Sequence, residues 1–219
     1  MIYRLLLLML VSVPAVLAHG ADIETDLAAV QTEWAITQYE IGDDQKDKAF
    51  ENLVSHARQV VKKYPGHAEP LVWQGIVLST YAGHKGGLGA LGLAKEARQA
   101  FEASLKLDDT ALGGSAHTSL GTLYSKVPGW PLGFGDDDKA EAHLRAGLNM
   151  NPEGIDANYF FAEFLKDQGQ PKRALVYYQK AYQAPARPDR PLADRGRRHE
   201  IEARLEELGY SGPLTGQLQ

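Results

Sequence analysis

Seven histidines, at positions 19, 56, 67, 84, 117, 143 and 199, are the residues best suited to bind a metal in this chain. No two of them stand at the i, i+4 spacing that would set two imidazoles on one helical face, and cysteine is absent. The pattern predicts scattered surface and groove histidines and no metal. Three consecutive carboxylates, Asp136, Asp137 and Asp138, could suggest calcium, but adjacent side chains diverge and no acidic residue follows at EF-hand spacing. Directly ahead of Lys139-Ala140-Glu141, they predict a helix N-cap and an acidic first turn. Gly113-Gly114-Ser115 is the nearest approach to a nucleophile elbow, and it is expected to open a helix. Gly86-Gly87-Leu88-Gly89 lacks the strand before and the lysine after that a phosphate loop needs. Five arginines, at 187, 190, 195, 197 and 198, could hold carboxylates through paired N–H groups. Glu200, Glu202, Glu206 and Glu207 follow them, and such mixed charge favours a solvated helix face. No catalytic constellation emerges, so neither an enzyme nor a cofactor is expected.

These residues must be positioned by a chain of 219 residues carrying 23 basic and 28 acidic side chains. Arg4 precedes an apolar run from Leu5 to Leu17 that ends in Val16-Leu17-Ala18, the pattern of a secretory signal peptide over 1–18. A bilayer span needs about 20 apolar residues, and no later segment approaches that. A soluble, periplasmic or secreted mature protein without a membrane anchor is expected. Without cysteine there is neither a lipoprotein acceptor nor a disulfide, so apolar burial has to hold the fold. Removing Arg4 leaves 22 basic against 28 acidic residues, a net charge of −6 that gives no footprint for nucleic acid.

Internal repetition organises the remainder. From Ile155 to about Pro188, Phe161, Ala162 and Leu165 share one helical face. Gly169 breaks that helix, and Ala174, Tyr178 and Ala181 share a face of the next. Small residues at 162, 174 and 181 allow two joined helices to approach closely. The pattern recurs at Leu120, Gly121, Tyr124, Ala140, Leu144 and Gly147, and again at Leu71, Gly75, Leu78, Ala97, Phe101 and Ser104. Second-helix positions are 34 residues apart from Ala140 to Ala174 but 43 from Ala97 to Ala140. Extra residues therefore sit in the turns, at about 83–93 and 127–135. A degenerate helical pair is predicted over 19–66, three full repeats over 67–188, and a capping helix with Ile201, Leu205 and Leu208 on one face within 189–219.

These residues resemble the tetratricopeptide repeat family over nearly the whole mature chain. Asn158 stands where that family favours tryptophan. Gly129-Trp130-Pro131-Leu132-Gly133-Phe134-Gly135-Asp136, with Lys139-Ala140-Glu141, is similar to a subgroup of small exported bacterial repeat proteins. More loosely, it is similar to the T component associated with TRAP-type solute transporters. The resemblance implies an all-α, right-handed superhelix of antiparallel helix pairs whose first helices line a concave groove. Carried over residue by residue, that groove contains Val72, Ile76 and Ser79, then Thr118, Thr122 and Ser125, then Tyr159, Glu163 and Lys166. The Lys and Asn set by which some relatives clamp a peptide carboxylate is missing, because Val72 and Ile76 occupy matching positions.

The two inserts are unusually apolar, and stacking should bring them to one edge of the array. They could pack on each other as added core, or form a lid or contact patch, since exposed apolar clusters mark interfaces. Trp130 and Phe134 sit in a turn stiffened by Pro128 and Pro131 and are candidate contact residues, with local core plugs as the rival role. The leading expectation is a scaffold that binds a protein or peptide through groove and inserts. The alternative is a transporter accessory that handles a small-molecule ligand.

Overall fold

The computed structural model describes residues 16–213; the expected signal peptide falls almost entirely outside them. The described residues form nine helices: α1 (Val16–Tyr39), α2 (Asp43–Lys63), α3 (Ala68–Lys85), α4 (Gly87–Leu107), α5 (Ala111–Lys126), α6 (Asp137–Met150), α7 (Ile155–Asp167), α8 (Pro171–Tyr182) and α9 (Pro191–Glu207). Their boundaries have local causes. Asp136 caps α6 by accepting the Lys139 N–H at 3.0 Å, as the acidic triplet predicts. Gly66 and Gly169 take positive φ after α2 and α7, where a side chain would be strained. Pro171 and Pro191 begin α8 and α9, where a missing N–H leaves no helical bond unmade.

Within each repeat the two helices meet where side chains are smallest. A methyl group on Gly121 would lie 2.7 Å from Leu144 Cγ and 2.8 Å from its backbone nitrogen, so α5 and α6 can approach only with glycine there. Ala162, Ala174 and Ala181 are fully buried, with Tyr178 filling the space beside them. Ala97, Phe101 and Ser104 are buried in the equivalent places of α4, and Ser104 satisfies its hydroxyl by donating to the Ala68 carbonyl at 3.1 Å. Asn158 is buried and donates to the carbonyls of Pro152 and Gly154, each at 2.9 Å, tying the inter-repeat turn to α7.

The pairs α3–α4, α5–α6 and α7–α8 stack in sequence, giving an all-α helical-repeat superhelix with α9 packed on α8. The inner helices touch in the order α1, α3, α5, α7, and α9 contacts both α7 and α1. Five helices therefore close into a ring, and α2, α4, α6 and α8 lie outside it. Besides covering the end of the stack, α9 turns back across its concave side.

The two inserts take different forms. Residues 87–93 are helical and simply lengthen α4 at its start, joined to α3 through Gly86 at φ 61°. Residues 127–135 are a true loop, fastened where Asp136 donates its N–H to Tyr124 O at 3.0 Å and Gly135 donates to Pro128 O at 2.9 Å. The start of α5 is also irregular. Leu112, Gly113 and Gly114 have positive φ, one left-handed turn before the right-handed helix. A leucine held there costs roughly 1–2 kcal/mol, which its surroundings must offset.

Candidate functional site

The ring of inner helices lines a chamber of about 1280 Å³ that is partly open to solvent. Its aromatic wall comes from α1 and α3, where Trp34 and Trp73 meet edge to face with centroids 6.0 Å apart. Trp34 donates its indole N–H to Thr80 Oγ at 3.0 Å, and Thr80 donates in turn to the Ile76 carbonyl at 2.8 Å, so that orientation is fixed. Across the chamber α5 contributes Ser115, Thr118, Ser119 and Thr122 at helical spacing. Thr122 donates its hydroxyl to the Thr118 carbonyl at 2.9 Å, leaving lone pairs free to accept from a ligand. Ala90 and Leu91 of the first insert, and Val127, Pro128 and Leu132 of the second, complete an apolar rim. Both inserts thus reach the same chamber.

The remaining wall is charged. Asp156 of α7 accepts from Arg187 Nη1 at 2.8 Å and from Arg197 Nε at 2.9 Å. Arg187 donates from its Nε and its backbone N–H to Asp194, at 2.7 and 2.8 Å. Arg197 also pairs with Glu200 and lies over the rings of Tyr159 and Phe160, 4.3 and 4.7 Å from their centroids. Arg198 donates to the Ala184 carbonyl at 2.9 Å. Burial pushes the Asp156 carboxyl up, but the guanidinium groups of Arg197, Arg187 and Arg190 outweigh it and hold it well below the carboxylate range. This lattice binds α9 and the turn before it to α7. The solvated face expected for the arginines is realised only at Arg195; Arg187, Arg197 and Arg198 are built into the structure. The carboxylate partners lie far away in sequence or one turn along the helix, and only the fold brings them together.

The predicted groove residues divide. Ile76, Ser79, Thr118 and Thr122 line the chamber. Val72 is buried in the core, although Ile76 and Ser79 at the same helical spacing line the chamber, and its neighbour Trp73 lines it as well. Tyr159 and Glu163 are buried beneath α9, where Glu163 accepts from Arg204 Nε at 2.9 Å and from Tyr178, and sits 3.6 Å from Lys126. Burial raises the Glu163 carboxyl, and the Tyr178 hydrogen bond with the Arg204 and Lys126 charges brings it net below its ordinary value. Burial pushes the Tyr159 hydroxyl up to about 12. Lys166 lies 3.3 Å from Glu207 of α9. All three positions taken from the fourth repeat are occupied by the chain's own last helix.

Trp130 and Phe134 also part company. Trp130 is 89% exposed and Leu132 74% exposed at the loop tip. Phe134 turns inward, edge-on to Tyr124 at 5.8 Å, with the Arg98 guanidinium 4.5 Å from its ring centroid. Trp34 and Trp73 line the chamber and were not among the groove residues expected from the sequence; Arg190, weighed there only as one of five arginines, lines it too. Trp34 and Gln38, four apart on α1 and both lining, were the available signal.

Among the described residues no group of three or more His, Asp or Glu side chains converges as metal ligands. His117 and His143 do meet, between α5 and α6. No helix of the described residues is long and apolar enough to cross a membrane. No family model matches the chain, and no curated protein matches it by sequence. Among solved structures it is similar to the crystal structure of MamA, at 20% identity and a TM-score of 0.43, covering 77% of this chain and 92% of that one. The fold assignment rests on the helix pairs themselves.

Proposed function

We propose that this protein is an exported binding protein that encloses a small organic molecule in its central chamber, as a ligand-handling accessory to solute transport. The observation that carries the ligand-binding part is the contact of α9 with α1 and α7, which turns an open groove into a ringed chamber. Small-molecule sites of about 300–1000 Å³ bury most of a drug-sized ligand, and about 1280 Å³ admits one with its hydration water. An extended peptide lying along the inner helices would meet α9 over the fourth repeat. The apolar rim with a few placed hydroxyl and charged groups is the composition such sites share. Export is inferred from residues 1–18, and the link to transport from the loop resemblance.

A second, compatible role is favoured by Trp130 and Leu132, which stand exposed on the loop whose other residues line the chamber rim. That tip suits contact with a protein partner at the chamber mouth. Thermal unfolding of the mature chain against a panel of organic metabolites tests the main reading, with Thr122→Phe as a variant that projects a ring from the α5 wall into the chamber. Compounds that raise the Tm of the parent and not of that variant support it. A panel without effect, together with a captured protein partner that Thr122→Phe binds equally well, overturns it in favour of the scaffold.

A further inference from the structure

Of the four basic residues lining the chamber, Lys126, Arg187 and Arg197 are each within ion-pair distance of a carboxylate. Arg190 is the exception: among the described residues its guanidinium has neither an ion pair nor a hydrogen bond, and its Nε is buried without a partner. It stands at the N-terminal boundary of α9, with its guanidinium carbon 5.0 Å from the centroid of the Trp73 ring. The nearby acidic lining residues do not answer its charge at contact range. Asp156 is committed to Arg187 and Arg197, while Glu153 and Asp189 are exposed at the rim. Burial, and next the charge of Arg187, lower the Arg190 pKa, while Asp156, Asp194 and Asp189, none of them within ion-pair distance, oppose the shift without reversing it. A buried donor of this kind needs a partner, which a ligand or an ordered water supplies.

Resting on the chamber reading, we infer that Arg190 is the anchor for a carboxylate, and that the ligand class is an organic acid with a flat apolar body. With the guanidinium carbon over the Trp73 ring, its terminal N–H groups make no hydrogen bond within the chain and remain for the ligand, and a fork of two such donors matches the two oxygens of a carboxylate. The apolar body then lies against Trp34, Trp73 and Phe160, and the hydroxyls of Ser119 and Thr122 are placed for a further polar substituent. Of the groove residues predicted from the sequence, Thr122 takes part in this arrangement.

The test compares 2-naphthaleneacetate with 2-naphthaleneacetamide, which has nearly the same shape and no charge, by isothermal titration calorimetry on the mature chain. The parent should bind the acid at least tenfold more tightly than the amide. Arg190→Gln should erase that preference by weakening the acid at least tenfold while leaving the amide within about twofold. Arg190→Lys keeps the charge and loses the fork, so it should fall between the two, and it carries the test if the glutamine variant does not fold. Quenching of tryptophan fluorescence by the acid, reduced in both variants, locates the event beside Trp73. Equal binding of acid and amide by the parent, both lost in Thr122→Phe, overturns the carboxylate anchor and leaves the chamber reading standing. Acid preference unchanged in Arg190→Gln, or no binding of either probe by the parent, overturns the inference.

Discussion

His117 of α5 and His143 of α6 approach through their Nδ1 atoms at 2.9 Å, a contact that needs one nitrogen to donate and the other to accept. Tyr124 stacks on His143 with centroids 5.8 Å apart, and Phe134 packs on Tyr124, so the pair sits under the ordered end of the second insert. Burial lowers the pKa of both rings; Asp109 opposes this for His117, and for His143 the neighbouring imidazole adds to it and Glu102 opposes it.

The sign of the resulting pH dependence is fixed. With folded pKa values below the unfolded value of about 6.5, the unfolded chain binds more protons, so stability is full above that pH and falls as pH drops through it. Both rings are partly open to solvent, so a loss of no more than about 1 kcal/mol is expected between pH 7 and pH 5. Urea unfolding across that range should show it, and His143→Leu should flatten the profile.

Asp156 joins α7 to α9 through Arg187 and Arg197. Asp156→Asn leaves two guanidinium groups short of their counter-charge and should lose about 3 kcal/mol. Hydrogen exchange should quicken first in the opening turns of α9. Because the Asp156 pKa is depressed in the fold, its contribution is present above the ordinary carboxylate range and disappears as pH falls below it.

Ala174 is fully buried in the contact of α8 with α7. Ala174→Leu overfills that contact and should lower stability by about 1–3 kcal/mol. A Tm equal to the parent's would show that the contact has room the structure does not give it.

Phe134→Ala should lose about 1–3 kcal/mol, less than full burial of a phenylalanine would give, because its ring is only partly covered. Trp130→Ala should change stability by less than about 0.5 kcal/mol, since a side chain that is 89% exposed contributes little packing. Chemical denaturation of the two variants separates the plug from the exposed tip.

Much of the local architecture was legible because helical burial repeats every three to four residues and tight helix contacts demand glycine or alanine. Ala162, Ala174 and Ala181, the Asp136 cap and the breaks at Gly66 and Gly169 all follow from chemistry within a few positions of themselves. Val72 marks the limit: it shares the helical spacing of Ile76 and Ser79, which line the chamber, yet it lies in the core, because the helices packed around α3 decide where its lining face begins.

Helix pairing, the order of the pairs and the apolar character of the two inserts are set by neighbours along the chain and can be read from the residues. The return of α9 to α1, the burial of Tyr159 and Glu163 beneath it, and the pairing of Asp156 with Arg187 and Arg197 that leaves Arg190 over arise only in the assembled stack. Arg190, Arg195 and Arg197 look alike in the sequence because a guanidinium's role is set by which carboxylates stand within a few ångströms. That distance is fixed by curvature accumulated over the whole stack, which no local pattern records.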